Sequence, residues 1–505
     1  MLIGIDLGTS TCKIIAVDAD GAVVAKASRD YPMINLRPGW AEQEPHLWWS
    51  ATDEAMTELA ASLPGKGAEV RGIGLCGQMH GLTALDADDE VIRPAILWND
   101  QRAAPQCDAL TERAGGLEEL LRMTRNRMLP GFTGGKILWL REHEPEHYER
   151  MASLLNPKDY LRLRMTGRHV TEVSDASGTG LFDVERRQWS EELLEIADID
   201  LSLLPEVVES TEVTGTLLPE LARRWGLPEG TPVVGGGGDA VIQTTAMGLI
   251  DEGEAGFTIG TAGIVAGGLT RCPDNPGGRV QVSCGNEPGR WHIMGVSLSA
   301  GGALQWLRDS LSRLDTQHPF TFDRLVEAAQ EVEPGSRGLL FLPYLLGERS
   351  PHVAPDATAC LVGLSQFHHV GHIARAVVEG VLMNMREILE ICVAAGLQTD
   401  RIVASGGATN HPMWLQTLAD VLNREVVTAT GATEGGAYGA ALAAGVGAGV
   451  WPDLPTALGR LQVEQTLTPN PAAAEQYERT FAAHRRLHEA QQEVRELLAT
   501  VGGGS

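Results

Sequence analysis

The hydrophobic and polar residues at the start of the chain alternate as they do in a β-meander. An apolar stretch at residues 3–7 leads into a Gly-Thr turn, and two further apolar stretches, at 12–18 and 23–25, are separated by an Asp-Gly turn. Short apolar runs bounded by such turns predict successive strands. From Pro45 onward the apolar residues recur at intervals of three and four, which predicts a helix.

Strands and helices continue along the chain. Apolar runs predict strands at 70–75, 83–85 and 95–98, and apolar stripes predict a mainly helical region at about 104–168. An amphipathic pattern at 472–500 predicts a surface helix near the end of the chain.

The second half of the chain repeats the opening theme. An apolar strand around residue 257 again leads into a Gly-Thr turn, about 250 residues after the first one. Because 505 residues exceed what one hydrophobic core usually holds, we expect two domains, at 1–248 and 249–501. Residues 502–505, Gly-Gly-Gly-Ser, are expected to be an appended linker.

Composition narrows the classes of partner. A formal net charge of −26 argues against nucleic acid and against an anionic membrane, since both need clustered Lys and Arg. Seven widely separated cysteines without a C-x-x-C pair indicate neither a disulfide framework nor a thiolate zinc site. Met1 leads directly into the first strand and leaves no room for a secretory signal, so we expect a cytoplasmic protein.

The turn after the opening strand is the first candidate for chemistry. Gly8 lets backbone N–H groups approach an oxyanion, the Thr9 hydroxyl adds a donor, and Asp6 can hold Mg²⁺ through water. This pattern predicts a phosphate site, although Gly-Thr also fills ordinary hairpin turns. A G-x-G-x-x-G match at 72–77 is not followed by a helix pattern, so we interpret it as accidental, and the chain has no P-loop motif.

Two clusters at strand ends suit a small polyol or sugar. Gln78, Met79 and His80 offer an amide, an apolar contact and an imidazole, and Trp98 with Asp100 offers an aromatic face beside hydrogen-bonding groups. A solvated loop histidine is the alternative interpretation of His80.

Four consecutive glycines at 235–238 precede Asp239. Because glycine costs conformational entropy, the run predicts a place where the backbone approaches a ligand closely or acts as a hinge. Asp239 is then a candidate general base, which would take the proton of a sugar hydroxyl as it attacks a γ-phosphoryl group. The alternative is an N-cap for a helix beginning at Ala240, and both roles are compatible.

Small residues at 405–410 follow an apolar strand and precede a helix with Pro412 in its first turn. Such a strand-to-helix turn leaves space for a nucleotide base and ribose, and Asn410 can hydrogen-bond to them. A Gly- and Ala-rich helix at about 433–441 is expected to serve close packing.

These features resemble the FGGY family of carbohydrate kinases, and within it the enzymes that phosphorylate xylulose. Besides the opening strand and turn, the resemblance rests on six separated matches that occur in order along nearly the whole chain, at 77–81, 95–100, 130–133, 157–164, 341–344 and 347–352. It implies an α/β fold of two actin-like, ribonuclease H-like ATPase domains flanking a cleft. It also implies ATP and Mg²⁺ as cofactors and a small-molecule sugar as partner, and it is compatible with a homodimer.

The resemblance also implies roles for individual residues. Asp239 would be the base, Asp6 would lie near the magnesium and the phosphates, and Met79 with His80 would contact the sugar. The nucleotide would be bound by Gly8, Thr9, Lys13, Gly260, Thr261, Gly406, Gly407 and Asn410. One position departs from the family pattern, since Ala240 stands where xylulose kinases typically have Asn, and this leaves the identity of the ketose open.

Two alternatives differ from transfer to D-xylulose. The first is an FGGY kinase for another ketose or polyol, such as ribulose, a tetrulose or a glycerol-like compound. The second is a non-catalytic ATPase of the actin fold, such as a chaperone or filament protein, for which a sugar-binding cluster and a base after the glycine run would have no use.

Overall fold

The structure is a computed structural model that describes residues 1–314, 317–430 and 434–501, so the linker predicted at 502–505 lies outside the described residues. Its strands are β1 (Leu2–Leu7), β2 (Thr11–Val17), β3 (Val23–Asp30), β4 (Glu42–Gln43), β5 (Gly72–Gly77), β6 (Thr83–Leu85), β7 (Ala95–Ile96), β8 (Ser153–Leu155), β9 (Val170–Glu172), β10 (Phe182–Asp183), β11 (Gln188–Trp189), β12 (Glu206–Val208), β13 (Val213–Thr216), β14 (Pro232–Val234), β15 (Gly237–Gly238), β16 (Gly253–Ile259), β17 (Gly263–Leu269), β18 (Gln281–Cys284), β19 (Trp291–Ser297), β20 (Leu340–Leu342), β21 (Cys360–Val362), β22 (Thr399–Ser405), β23 (Val426–Ala429) and β24 (Val463–Leu467).

The helices are α1 (Pro45–Ser62), α2 (Ala104–Arg113), α3 (Leu117–Thr124), α4 (Thr133–His143), α5 (Pro145–Arg150), α6 (Pro157–Thr166), α7 (Val173–Ser177), α8 (Glu191–Ala197), α9 (Pro219–Trp225), α10 (Asp239–Ala246), α11 (Gly301–Ser312), α12 (Phe322–Gln330), α13 (Val370–Ala394), α14 (Pro412–Leu422), α15 (Gly436–Gly447), α16 (Leu454–Leu458), α17 (Pro471–Ala490) and α18 (Gln492–Val501). The described residues contain no helix that is both long enough and apolar enough to cross a bilayer.

The described chain forms two compact units. The first comprises Met1–Asp251, Gly268–His292 and Glu434–Leu461, and the second comprises the described residues of 252–267, 293–433 and 462–501. The break after Asp251 lies close to the predicted domain boundary, while two segments of the first unit come from the half of the sequence that is predicted as the second domain.

The first unit is built on a mixed sheet of order β13-β14-β5-β1-β2-β3, with β15 also paired to β5. β1, β2 and β3 are antiparallel neighbours, which confirms the predicted meander. β5 lies parallel to β1 on its other side, so the carboxyl ends of these two strands meet at one edge of the sheet. The G-x-G-x-x-G match is the whole of β5 and opens no helix, as expected.

The second unit contains a sheet with the order β17-β16-β22-β23-β24. β16 and β22 are parallel, and β16 pairs with β17 in an antiparallel hairpin whose turn holds Gly260 and Thr261. The helix predicted at 472–500 is two helices, α17 and α18, which are separated at Gln491. The side-chain amide of Gln491 donates a hydrogen bond to the Sγ atom of Cys360, the first residue of β21.

α15 lies unusually close to the first sheet. A Cβ atom on Gly4 would lie 1.8 Å from the carbonyl oxygen of Ala437, and one on Gly74 would lie 1.9 Å from that of Ala440. Neither distance leaves room for a methyl group, so glycine is required on β1 and β5 and small residues are required on the helix. The prediction of a small-residue packing helix is therefore confirmed for its described part.

We predict that Gly74→Ala destabilises the protein by about 3 kcal/mol or more, because the new methyl group forces β5 and α15 apart. Thermal unfolding followed by circular dichroism measures the effect. Gly459→Ala is the matched control, since a Cβ there meets its nearest atom at 3.5 Å, in ordinary contact. Equal melting temperatures for the two variants would contradict this account of the packing.

Candidate active site

Asp6 and Asp239 converge at the carboxyl edge of the first sheet. Asp6 on β1 is the register partner of Cys76 on β5, and Cys76 is in turn the register partner of Gly237 on β15. Asp239 follows β15 directly as the first residue of α10. Two carboxylates that lie far apart in the sequence therefore share one end of three paired strands.

The two carboxylates influence each other electrostatically. Burial raises the pKa of Asp239 to about 7, and the negative charge of Asp6 adds to the rise. Burial also raises the pKa of Asp6, while the Cys76 thiol, which donates to Asp6 Oδ1 over 3.2 Å, acts in the opposite direction. Both side chains keep some exposure to solvent. A carboxylate that titrates near neutral pH is well matched to general-base work.

The structure corrects the alternative role of Asp239. The N-cap of α10 is Gly238, and Asp239 is the first helical residue. Its Oδ1 atom accepts a hydrogen bond of 2.7 Å from the backbone N–H of Ala240. The carboxylate thus lies at the positive end of the helix without being its cap.

The four glycines lie close to other protein atoms. The need for glycine here therefore comes from packing within the protein and not from the ligand or hinge that the sequence predicts. A Cβ on Gly236, whose φ is +72°, would lie 1.8 Å from the carbonyl oxygen of Leu75. A Cβ on Gly238 would lie 2.7 Å from the side chain of Met79. The run therefore lets the turn pass directly over β5 and the sugar-binding cluster that the sequence predicts.

The first predicted phosphate turn joins β1 to β2. The backbone N–H of Gly8 donates to the carbonyl oxygen of Thr11 over 3.0 Å, and the Thr9 hydroxyl accepts from Trp98 Nε1 over 2.9 Å. Lys13, the register partner of Asp6, forms an ion pair with Glu434. Glu434 was not predicted as a site residue, because nothing near it in the chain indicates that it meets β2.

Gln78 and Met79 follow β5 directly and are both buried. The Gln78 amide donates to Gln43 Oε1 over 3.0 Å, and Gln43 donates in turn to the carbonyl oxygen of Thr9 over 2.5 Å. The predicted sugar cluster and the first phosphate turn are therefore joined by side-chain hydrogen bonds within one unit.

His80 is held from several sides and is not a solvated loop residue. Its φ of +68° is in the left-handed region. Its ring stacks on Phe132 with a centroid distance of 4.5 Å, and its Nδ1 atom lies 2.5 Å from the carbonyl oxygen of Gly178. The fully buried Lys136 donates to the His80 carbonyl oxygen over 2.7 Å, and burial lowers the pKa of this amine to about 7. The burial of Lys136 next to the site was not predicted, because a lysine within an amphipathic helix usually lies on its exposed face.

Trp98 and Asp100 lie in different environments. Trp98 is 39% exposed, so its ring face is accessible. Asp100 is 1% exposed, and its carboxylate accepts hydrogen bonds from the Arg102 guanidinium and from the backbone N–H of Ala41, which lies 2.6 Å away. Its carboxylate is thus engaged by the protein, and a contact of Asp100 with substrate stays a prediction.

The second unit contains a cavity of about 370 Å³. Of the predicted nucleotide residues, it brings together Gly260, Thr261 and Gly407 as lining residues. The other lining residues are Ile259, Gly301, Leu304, Gln305, Phe322, Val326, Ala408, His411 and Trp414. Most of this lining is apolar, and it comes from α11, α12 and α14 as well as from the two turns. A cavity of this size and character suits a flat aromatic ring.

Gly406 and Asn410 flank the lining residues in the chain. Gly406 has a φ of +92°, and a Cβ there would lie 2.6 Å from the carbonyl oxygen of Ile259, so the turn crosses close to the end of β16. Asn410 is exposed at the end of the 3-10 turn Gly407–Asn410.

Comparisons with known proteins cover nearly the whole chain. The model of the FGGY family of carbohydrate kinases, N-terminal domain, matches residues 1–248, and that of its C-terminal domain matches residues 256–448. The xylulose kinase of Escherichia coli (strain K12) is 38% identical over 97% of this chain and 99% of its own length.

Two solved structures from Lactobacillus acidophilus have nearly the same fold. The ligand-bound xylulose kinase has a TM-score of 0.91 at 28% identity and covers 97% of this chain and 98% of its own. The gluconate kinase has the same TM-score and identity and covers 97% of each chain. Two kinases that are named for different substrates thus have the same fold.

Proposed function

Since the chain belongs to the FGGY family of carbohydrate kinases, we propose that it transfers the terminal phosphoryl group of ATP to the terminal hydroxyl of D-xylulose, giving D-xylulose 5-phosphate. The observation that carries the proposal is the pair Asp6 and Asp239 at one strand edge, beside the buried Gln78 and Met79. The near full-length similarity to xylulose kinases supports this choice of sugar.

Asp239 is the base in this proposal. Because its pKa is raised to about 7, a substantial fraction of the group is ionised at neutral pH and still basic enough to accept a proton. It takes the proton of the sugar hydroxyl while the hydroxyl oxygen attacks the γ-phosphorus, and the bond from that phosphorus to the ADP oxygen breaks.

The residues present fit a magnesium ion. No group of three or more His, Cys, Asp or Glu side chains suited to a metal occurs among the described residues. Mg²⁺ does not need one, since it is commonly bound through one or two carboxylates, waters and substrate phosphates. Asp6 would hold it, and the partly buried carboxylate pair provides the negative potential. When bound, the ion would neutralise charge on the transferring phosphoryl group.

The nucleotide is assigned to the second unit. The apolar lining of its cavity would receive the adenine ring, and Gly260, Thr261 and Gly407 would bring backbone and hydroxyl donors to the nucleotide. In the first unit, Gly8, Thr9 and Lys13 are assigned to the phosphates. The cytoplasmic location and a homodimer stay predictions.

Another ketose or polyol is the second candidate substrate. Ala240, beside the base, is partly exposed and has only a methyl group to offer a sugar. The gluconate kinase that shares the fold is consistent with a family in which small changes at the sugar site alter the substrate.

We expect purified protein with MgATP to release ADP in the presence of D-xylulose and to release it at least about tenfold more slowly with no sugar. D-ribulose, a tetrulose, glycerol and gluconate complete the panel.

Asp239→Asn should lower kcat at least about a hundredfold while ATP affinity stays nearly unchanged, since only the base is lost.

The outcomes separate the assignments. Equal ATP hydrolysis with and without every sugar would contradict the kinase. A preference for another ketose would move the assignment to the second candidate. An Asp239→Asn variant that retains more than about a tenth of wild-type kcat would contradict the role of Asp239.

We predict that His80→Ala raises the KM for the sugar about tenfold or more and leaves the KM for ATP within about twofold. The ring is oriented by Phe132 and Gly178, and a Cβ on Gly178 would lie 2.7 Å from the ring and 2.8 Å from Met79 Cε, so the ring and the Met79 side chain lie close together in the unit that carries the base. Steady-state kinetics with each substrate varied in turn measures both constants. Equal changes in both KM values would place His80 outside the sugar site.

Ala408→Trp should have the opposite selectivity. The indole would fill much of the cavity in the second unit, so we expect a KM for ATP at least about tenfold higher and a KM for the sugar within about twofold. Binding of ATP to the sugar-free protein, measured by calorimetry, checks the same point. Unchanged ATP affinity would show that the cavity does not receive the base.

A further inference from the structure

A network of charged and polar side chains lies directly behind the turn that carries Asp239. Arg162, Glu172 and Ser174 are all fully buried, and the proposed reaction uses none of them. Because an unpaired buried charge is costly, these side chains must be satisfied by partners within the protein. Their partners include the backbone of the glycine turn.

Ser174 connects Glu172 to the residue before the base. Its hydroxyl donates to Glu172 Oε1 over 2.8 Å and accepts from the backbone N–H of Gly238 over 3.0 Å. Glu172 is itself fixed, since it also accepts from the backbone N–H groups of Ser174 and Asp175 and from the hydroxyl of Ser210. The chain of contacts therefore ends on a carboxylate that has little freedom to move.

Arg162 holds the other end of the same turn. Its guanidinium donates to the carbonyl oxygens of Val234 and Gly235, each over 2.6 Å. The planar fork of Arg suits two acceptors at once. The entry and the exit of the turn are thus held by different side chains, and four glycines that would otherwise be flexible are fixed.

The position of Asp239 depends on this backbone. The hydrogen bond described for its carboxylate is the one from the neighbouring Ala240 N–H, so no distant side chain of the described protein is seen to orient it. We propose that Ser174 is a positioning residue for Asp239, which acts by fixing the Gly238 amide against Glu172. This inference rests on the proposed function, because it assigns Asp239 as the base.

The hydroxyl of Ser174 makes three contacts at once, since it also accepts a hydrogen bond from Asn286 Nδ2 over 3.3 Å. Alanine would leave the Gly238 N–H and one Glu172 oxygen without this partner, and both atoms are buried. The turn would then be free to shift, and a displacement of about 1 Å at a reacting group can cost about a hundredfold in rate.

Ser174→Ala is therefore expected to lower kcat about tenfold or more, with the KM for ATP within about twofold of wild type. Ser177→Ala is the matched control. Ser177 lies on the same helix, is almost as buried, and accepts from the Cys284 N–H over 3.0 Å, away from the glycine turn. It should lose similar thermal stability and keep kcat within about twofold. If Ser174→Ala does not fold, Ser174→Cys, which leaves no cavity and replaces the hydroxyl by a somewhat larger and weaker hydrogen-bonding group, takes its place.

Equal kcat values for the Ser174 variant and the Ser177 variant would overturn the inference, and so would a fall in kcat that is fully matched by a rise in the KM for ATP. These results are distinct from failure of the proposed function. In that case the wild-type protein itself would show no sugar-dependent ADP release, or Asp239→Asn would remain active.

Discussion

The parallel pairing of β1, β5 and β15 is the constraint on which the rest of the first unit depends. It places Asp6, Cys76 and Gly237 in one row across the sheet and sets Asp239 at its edge. Bringing two carboxylates together in a partly buried place costs free energy, and the raised pKa of Asp239 is the measure of that cost. The same cost gives the group its basicity near neutral pH, and it supplies the negative potential that a cation requires.

Local signals in the sequence were sufficient for β1 and β5, which carry Asp6 and Cys76, whereas β15 lies in the glycine run and was not predicted as a strand. The apolar runs and turns predict the meander, and the Pro residues predict where α1 and α14 begin. The motif clusters likewise indicate which residues meet at strand ends, because the carboxyl ends of parallel strands share an edge. What the sequence could not supply are partners that are distant along the chain, such as Glu434 for Lys13, 421 residues away.

The cavity proposed for the nucleotide illustrates the same limit. Its turns were predicted from their glycines, but much of its lining comes from Leu304 on α11 and from Phe322 and Val326 on α12. These residues have the spacing of ordinary core positions in amphipathic helices, so nothing in their pattern separates a cavity wall from a packed interior. At Asp100 the partner is close in the sequence but was still not predicted. This residue lies near the exposed Trp98, yet its carboxylate is buried and accepts a hydrogen bond from Arg102, only two positions away.

The glycine run shows that a predicted close approach can be made to protein atoms instead of to a ligand. Its composition predicts close approach, and close approach is what the structure contains, but to Leu75 and Met79. Packing the turn against β5 brings Asp239 to the predicted sugar cluster only if the turn has one conformation, and glycine alone cannot enforce that. Rigidity must then come from the side chains around it. Arg162 and Ser174 are buried polar groups whose desolvation is compensated by backbone atoms of the turn, so their burial and the order of the turn have the same physical cause.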